Sequence, residues 1–184
     1  VVAHEALLRW QHPQHGQVAP GDFLQVAEDT GLILGIGDWV LGEACRWGTF
    51  IGVERGVQVA VNLSARQLHS EGLVDMVRET IRSSGIRPQS LVLELTESML
   101  MEDIEGSIGK LKEVQAVGLR VALDDFGTGY SSLSYLARLP INSLKIDRSF
   151  ITQMSSSPEQ MAIVSTVISL ARALNLKVCA EGVE

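Results

Sequence analysis

Val121-Ala122-Leu123-Asp124-Asp125-Phe126-Gly127-Thr128-Gly129-Tyr130-Ser131-Ser132 decides how this chain is read. An apolar run ends in two adjacent carboxylates and passes into a loop of Gly, Thr and Ser. Asp is a poor strand former and neighbouring anions repel, so such a pair closing a buried strand calls for a cation or a solvent-exposed turn. A divalent metal would supply the cation, while Asp and Gly are also ordinary turn residues. Taken alone, the stretch fits a turn as well as a metal site.

Working outward, the same pattern recurs. Leu91-Val92-Leu93-Glu94-Leu95 is apolar with an acid near its end, and Val57-Gln58-Val59-Ala60-Val61-Asn62 has strand alternation and ends on an amide. Ile141 to Ile146 carries Lys145 and is followed by Asp147; Leu176 to Glu181 ends on an acid. At the start, Val1-Val2-Ala3 reads as a strand leaving through His4 and Glu5. Helical segments lie between these runs: Asp22–Thr30 closed by Gly31, a longer helix capped by Asp38, and Ser70–Ser84. Asp103–Val117 stops at Gly118, a short segment spans Ser132–Leu139, and Ser157-Pro158 opens a last helix to Leu174. Gln11 to Gly21 reads as loop. On the Asp38 helix the buried face is expected to use Val40, Leu41, Ala44, Cys45 and Phe50.

Strand alternating with helix argues for a parallel α/β sheet. Every one of the six strands has a polar or charged residue at its exit. In a TIM-type (β/α)8 barrel the carboxyl ends of the strands converge on one mouth, so these residues would meet. An open doubly wound sheet also gathers strand ends, but no glycine-rich dinucleotide fingerprint follows the first strand. The expected fold is a modified TIM (β/α)8 barrel, truncated at both ends, with about six strands in the 184 residues. The chain starts without Met inside an apolar run and is expected to be a partial domain over 1–184.

Composition constrains the partners. The chain is 46% hydrophobic and 20% charged, enough for one sizeable core, and its net charge of −7 is not gathered into a tail, which disfavours a DNA or RNA polymer as ligand. A small phosphate ligand is compatible if metals supply positive charge. The two cysteines show no C-x-x-C spacing and are expected as buried free thiols. Trp10, Trp39 and Trp47 are expected in the core, and His4, His12, His15 and His69 at the surface.

Carboxylates and one amide oxygen around a mouth are ligands for Mg²⁺ or Mn²⁺ rather than zinc. With two ions, Asp124 would bridge, and the pair would lower the pKa of a water for attack on phosphorus. Lys145 among acids would orient that water or offset developing charge, and Arg9 could grip a phosphate through its planar fork.

The ordered motifs identify a resemblance. Glu5-Ala6-Leu7-Leu8-Arg9-Trp10, Val61-Asn62-Leu63-Ser64, Glu94-Leu95-Thr96-Glu97, Asp124-Asp125-Phe126-Gly127-Thr128-Gly129, Leu144-Lys145-Ile146-Asp147 and Ala180-Glu181-Gly182-Val183-Glu184 together resemble the EAL family of cyclic di-GMP phosphodiesterases. The resemblance implies hydrolysis of cyclic di-GMP to linear pGpG with two Mg²⁺ or Mn²⁺ ions. It implies metal ligands at Glu5, Asn62, Glu94, Asp124, Asp125 and Glu181, with Lys145, Glu181 and Glu97 in catalysis. Lys145 positions the water, and Glu97 steadies the loop after Asp125. Substrate contacts fall on Arg9, Leu7 and Asp147.

By the same resemblance, a homodimer through the loop after Asp125 is expected. So are a fused sensory or diguanylate-cyclase domain and a cytoplasmic location, with any membrane anchor in other domains. The family's first strand, with its substrate-contacting segment, and its closing helix and strand have no counterpart in these residues, so the isolated piece is expected to be weakly active or inactive. Two other readings stay open: a receptor that binds cyclic di-GMP without cutting it, and an enolase-like lyase using Lys145 as base.

Overall fold

A computed structural model describes residues 3–51, 56–127, 133–154 and 157–183. Six strands form one parallel sheet in sequence order: β1 (Ala3–Ala6), β4 (Gln58–Asn62), β5 (Leu91–Thr96), β6 (Arg120–Phe126), β7 (Ser143–Ile146) and β8 (Lys177–Ala180). Neighbours in space are successive main-sheet strands, each joined through helix, as in consecutive staves of a (β/α)8 barrel. β2 (Trp10–His12) and β3 (Gly16–Val18) make a separate antiparallel hairpin.

The helices are α1 (Pro20–Thr30), α2 (Leu32–Phe50), α3 (Ala65–Leu68), α4 (Leu73–Ser84), α5 (Glu97–Met101), α6 (Ile104–Ala116), α7 (Leu133–Leu136), α8 (Arg148–Gln153) and α9 (Pro158–Ala173). Their ends follow local chemistry. Ser64 and Gln67 form a reciprocal capping box on α3, Asp103 accepts from Gly106 N at 3.0 Å, and Ser157 caps α9 with Pro158 in its first turn.

Period-two alternation divides the sheet into two faces. Val59, Val61, Leu93, Leu123, Leu144 and Ile146 face the helices and join one continuous core. The opposite face carries Ala60, Val92 and Ala122, which form their own small cluster. Asn62, Glu94 and Asp124 follow two residues later on the same strands. The register Asn62↔Glu94 and Thr96↔Asp124 brings these polar exits to one end of the sheet. A layer of small apolar side chains therefore floors a layer of charge, and this polar end of the sheet is the place for chemistry.

Several sequence expectations need correction. The segment read as loop contains β2 and β3, whose three-residue strands carry no apolar alternation; Trp10 packs edge-on against Phe23 at 5.4 Å. The second helix begins at Leu32, since Gly31 at φ 81 turns the chain directly from α1 into α2. Phe50 is 87% exposed rather than buried, and Trp10, Trp39 and Trp47 are also exposed. Trp39 and Trp47 line the cavity beside Glu5 and Ala6 of β1, a strand with a single partner among the described residues. Cys45 is buried as expected, but Cys179 is exposed because β8 likewise has one described neighbour. The short helices α3, α5 and α8 add to the expected set.

Gly37 shows why a glycine interrupts α2. A Cβ there would collide with the side-chain amide of Gln67, which is buried and fixed by the Ser64 capping box. Gly37→Ala is expected to lower unfolding free energy by roughly 2 kcal/mol in a denaturant titration, despite the better helix propensity of Ala.

Candidate functional site

Lys145 is the centre of the polar end. It lies on β7 with its neighbours Leu144 and Ile146 turned into the core, so its own side chain is directed to the opposite face. Its Nζ lies 2.8 Å from Asp124 Oδ2, 2.8 Å from Glu181 Oε1, 3.1 Å from Glu94 Oε2 and 3.8 Å from Glu5 Oε2. Five strands thus contribute to or adjoin one ammonium. Asn62 extends the group by donating from Nδ2 to Glu5 Oε1 at 2.8 Å, leaving its amide oxygen as an acceptor.

Asp124 and Asp125 adjoin through Asp125 N, which donates to Asp124 Oδ1 at 2.9 Å. The β6–β7 register shifts between Leu123 and Phe126, and Asp125 takes φ 52, an uncommon left-handed conformation for a residue with a side chain. The strand leaves its ladder where the two acids stand and rejoins at Phe126. One carboxylate oxygen each from Asp124, Asp125 and Glu181 falls within a mutual 4.8 Å, a spacing that could be spanned by one cation. All six ligands expected from the sequence therefore meet at one end of the sheet. Five carboxylates and an amide oxygen are the hard donors that Mg²⁺ and Mn²⁺ take.

Burial and charge set the protonation states. Burial pushes the Glu94 carboxyl up to about 7, with the Lys145 charge and hydrogen bond opposing. Asp125 and Glu181 are also raised by burial first; the Asp124 charge adds to both, and the Lys145 hydrogen bond offsets part of the rise at Glu181. Burial alone would lower Lys145, but hydrogen bonds to Asp124 and Glu181 and the charges of Glu94 and Asp124 hold its pKa above the ordinary lysine value.

A carboxyl with a raised folded pKa stabilises the fold below its unfolded pKa and loses that contribution as pH rises through the folded one. In chelator, unfolding free energy is therefore expected to fall between about pH 4.5 and 7, by on the order of 3 kcal/mol from Glu94. Glu94→Gln should flatten much of this fall in melts across pH. A parent profile that rises over this interval would contradict the assignment.

The remaining candidates border the cluster without a hydrogen bond to Lys145, and the Asp147 charge adds to the rise at Asp125. Arg9 and Leu7 are exposed and share with Glu5 a cavity of about 300 Å³ between β1 and α2, and Arg9 donates to Leu8 O at 2.7 Å. Asp147 caps α8, accepting from Ser149 N at 2.9 Å and from Ser149 Oγ; these bonds lower its pKa. Glu97 opens α5 and is 6% exposed, beside Leu123, Phe126 and Tyr135. Neither of its carboxylate oxygens has a hydrogen-bond partner among the described residues. Residues 128–132, most of the loop it is expected to steady, lie outside the described residues. Two nearby features were not anticipated: Cys179 stands opposite Lys145 in the β7–β8 register, and α8 lies directly behind Asp147. The Asp147-x-Ser149 cap was the available signal for α8.

A family model described as EAL domain matches residues 1–184. Among curated proteins, the chain is 50% identical over 188 residues to the bifunctional diguanylate cyclase/cyclic di-GMP phosphodiesterase MucR of Pseudomonas aeruginosa, covering 100% of this chain and 27% of MucR. It is 44% identical to the cyclic di-GMP phosphodiesterase NbdA of the same organism, covering 98% of this chain and 23% of NbdA. The chain thus spans about a quarter of these relatives. Among solved structures, the PaMucR phosphodiesterase in complex with c-di-GMP superposes with a TM-score of 0.92 at 52% identity, over 98% of this chain and 74% of that one.

Proposed function

The chain belongs to the EAL domain family, and from that premise we propose that it hydrolyses cyclic di-GMP to linear pGpG in a metal-dependent reaction. The observation that carries this reading is the set of four carboxylates gathered on Lys145 Nζ, with Asn62 and Asp125 adjoining. The similarity to MucR and NbdA supports the substrate.

Glu5, Asn62, Glu94, Asp124, Asp125 and Glu181 would hold two Mg²⁺ or Mn²⁺ ions. When bound, such ions supply Lewis acidity and lower the pKa of an attacking water. Without metal the surrounding acids favour the ammonium form of Lys145; as an ammonium, its N–H groups would orient the water oxygen toward phosphorus and offset charge on the phosphoryl oxygens. The water oxygen bonds to phosphorus as the water gives up a proton, one P–O ester bond breaks, and the departing ribose oxygen takes up a proton in its place, so that one water is added in all and the ring opens to pGpG. Arg9 grips a phosphate, with Leu7 and Asp147 at the substrate's flank. Glu97 steadies the loop after Asp125, and its buried carboxylate is suited to accept hydrogen bonds there.

A Lys145 base, as in an enolase-like lyase, requires a lowered pKa, and the surrounding acids act in the opposite sense. The parent protein is proposed to carry further domains, as its much longer relatives do, to dimerise through the loop after Asp125, and to work in the cytoplasm. No helix among the described residues is long and apolar enough to cross a membrane. Incubating the full-length protein with cyclic di-GMP and Mg²⁺ or Mn²⁺ tests the reaction: pGpG is expected. Binding without product would replace the enzyme by a receptor, and neither would overturn the assignment.

A further inference from the structure

Two of the proposed metal ligands are followed closely by glycines in left-handed conformation, Gly127 at φ 101 after Asp125 and Gly182 at φ 65 after Glu181. Both turns rest on α8. A Cβ on Gly127 would lie 2.9 Å from Phe150 Cε2 and 3.1 Å from Cζ, so the aromatic ring occupies the space behind that turn. A Cβ on Gly182 would meet the stem of Arg148, with Cδ at 2.8 Å.

The helix has its own anchors. Asp147 caps it, Phe150 N donates to Asp147 O at 3.2 Å, and the Phe150 ring packs on the main core. Glu181 N donates to Ile146 O at 3.2 Å, so the second turn is also tied to the strand that carries Lys145.

We propose that α8 is a common seat for the two ligand-bearing turns, with Phe150 a positioning residue for Asp125 and the Arg148 stem one for Glu181. The inference rests on the metal-centre reading above and adds what sets the spacing of its carboxylates. Asp125 holds an uncommon backbone conformation, which persists only where the surroundings over-determine it. On its amino side the β6–β7 ladder is broken. On its carboxyl side Phe126 is buried and Gly127 abuts Phe150. Removing the ring frees Gly127 to relax and lets the Asp125 carboxylate drift from Asp124 and Glu181. A displacement of about an ångström is costly at a site that needs convergent ligands.

The test is calorimetric titration of the full-length protein with Mn²⁺ alone, below the melting temperature of each variant. Phe150→Ala is expected to weaken Mn²⁺ binding by about tenfold or more, Phe150→Leu to keep it within about threefold, and Thr152→Ala on the exposed side of α8 to leave it unchanged. Arg148→Met, which keeps the stem, should bind more tightly than Arg148→Ala. A role in stability alone would lower melting temperatures while folded Phe150→Ala bound Mn²⁺ like the parent, and that result overturns the proposal. Should Phe150→Ala not fold, parent-like binding by Phe150→Val overturns it equally. A parent that binds no Mn²⁺ removes the metal centre and this inference together, whereas parent binding with unaffected variants removes the inference alone.

Discussion

Asp124→Asn is expected to lower kcat/KM for cyclic di-GMP by about 10³-fold or more while leaving the fold in place. Asp124 is 8% exposed and works through both oxygens, Oδ1 accepting from Asp125 N and Oδ2 from Lys145 Nζ at 2.8 Å. An Asn keeps the shape and one of those acceptors, so backbone order at the β6 exit persists. It removes the charge that would sit between two cations. A carbonyl oxygen with no net charge binds a second ion poorly, and two cations close together then repel with less compensation. Circular dichroism and melting in chelator should show a folded protein, with stability changed by no more than about 2 kcal/mol. Turnover close to the parent's would move the bridge to another acid.

Lys145→Ala has a second large effect, whose sign depends on metal. In chelator, Lys145 is the described cation on which Glu5, Glu94, Asp124 and Glu181 converge. Removing one partner from such a buried ionic group costs about 3–5 kcal/mol. The penalty is tempered because Glu94, with its pKa near 7, can take up a proton. With saturating Mg²⁺ the acids regain counter-charge, and the loss of stability should largely disappear. Activity should remain about 10²- to 10⁴-fold lower, because metal does not replace the oriented N–H donor. Melts with and without Mg²⁺, set beside kcat, separate the two roles. Equal destabilisation in both conditions would show that Lys145 is only a structural partner for its neighbours.

The legible parts of the molecule were those governed by period-two alternation. β5 and β6 are buried along nearly all their length, so Leu91–Leu95 and Val121–Leu123 announce themselves, and the polar residue that ends each strand marks the mouth. Those exits, read in order, contained the whole cluster around Lys145. What stayed hidden depends on contacts across the sequence. The hairpin of β2 and β3 is stabilised by Trp10 packing on Phe23, and no local pattern encodes it. α2 starts at Leu32 despite the poor helix propensity of Gly35 and Gly37; at Gly37 close approach to Gln67 requires a missing side chain, whereas Gly35 faces open space. Exposure of Trp39, Trp47 and Cys179 goes with their place beside β1 and on β8, each with one neighbouring strand among the described residues, and residue type does not announce it. Phe150 and Arg148 look like ordinary helix residues until Gly127 and Gly182 are seen resting on them.

The most direct test of the metal centre is anomalous diffraction from crystals of the protein with Mn²⁺ and cyclic di-GMP. Two manganese peaks are expected among Glu5, Asn62, Glu94, Asp124, Asp125 and Glu181, both in contact with Asp124 and both beside a phosphate of the ligand. Cyclic di-GMP bound with no peak there, or with Lys145 still closed on all four carboxylates, would contradict it.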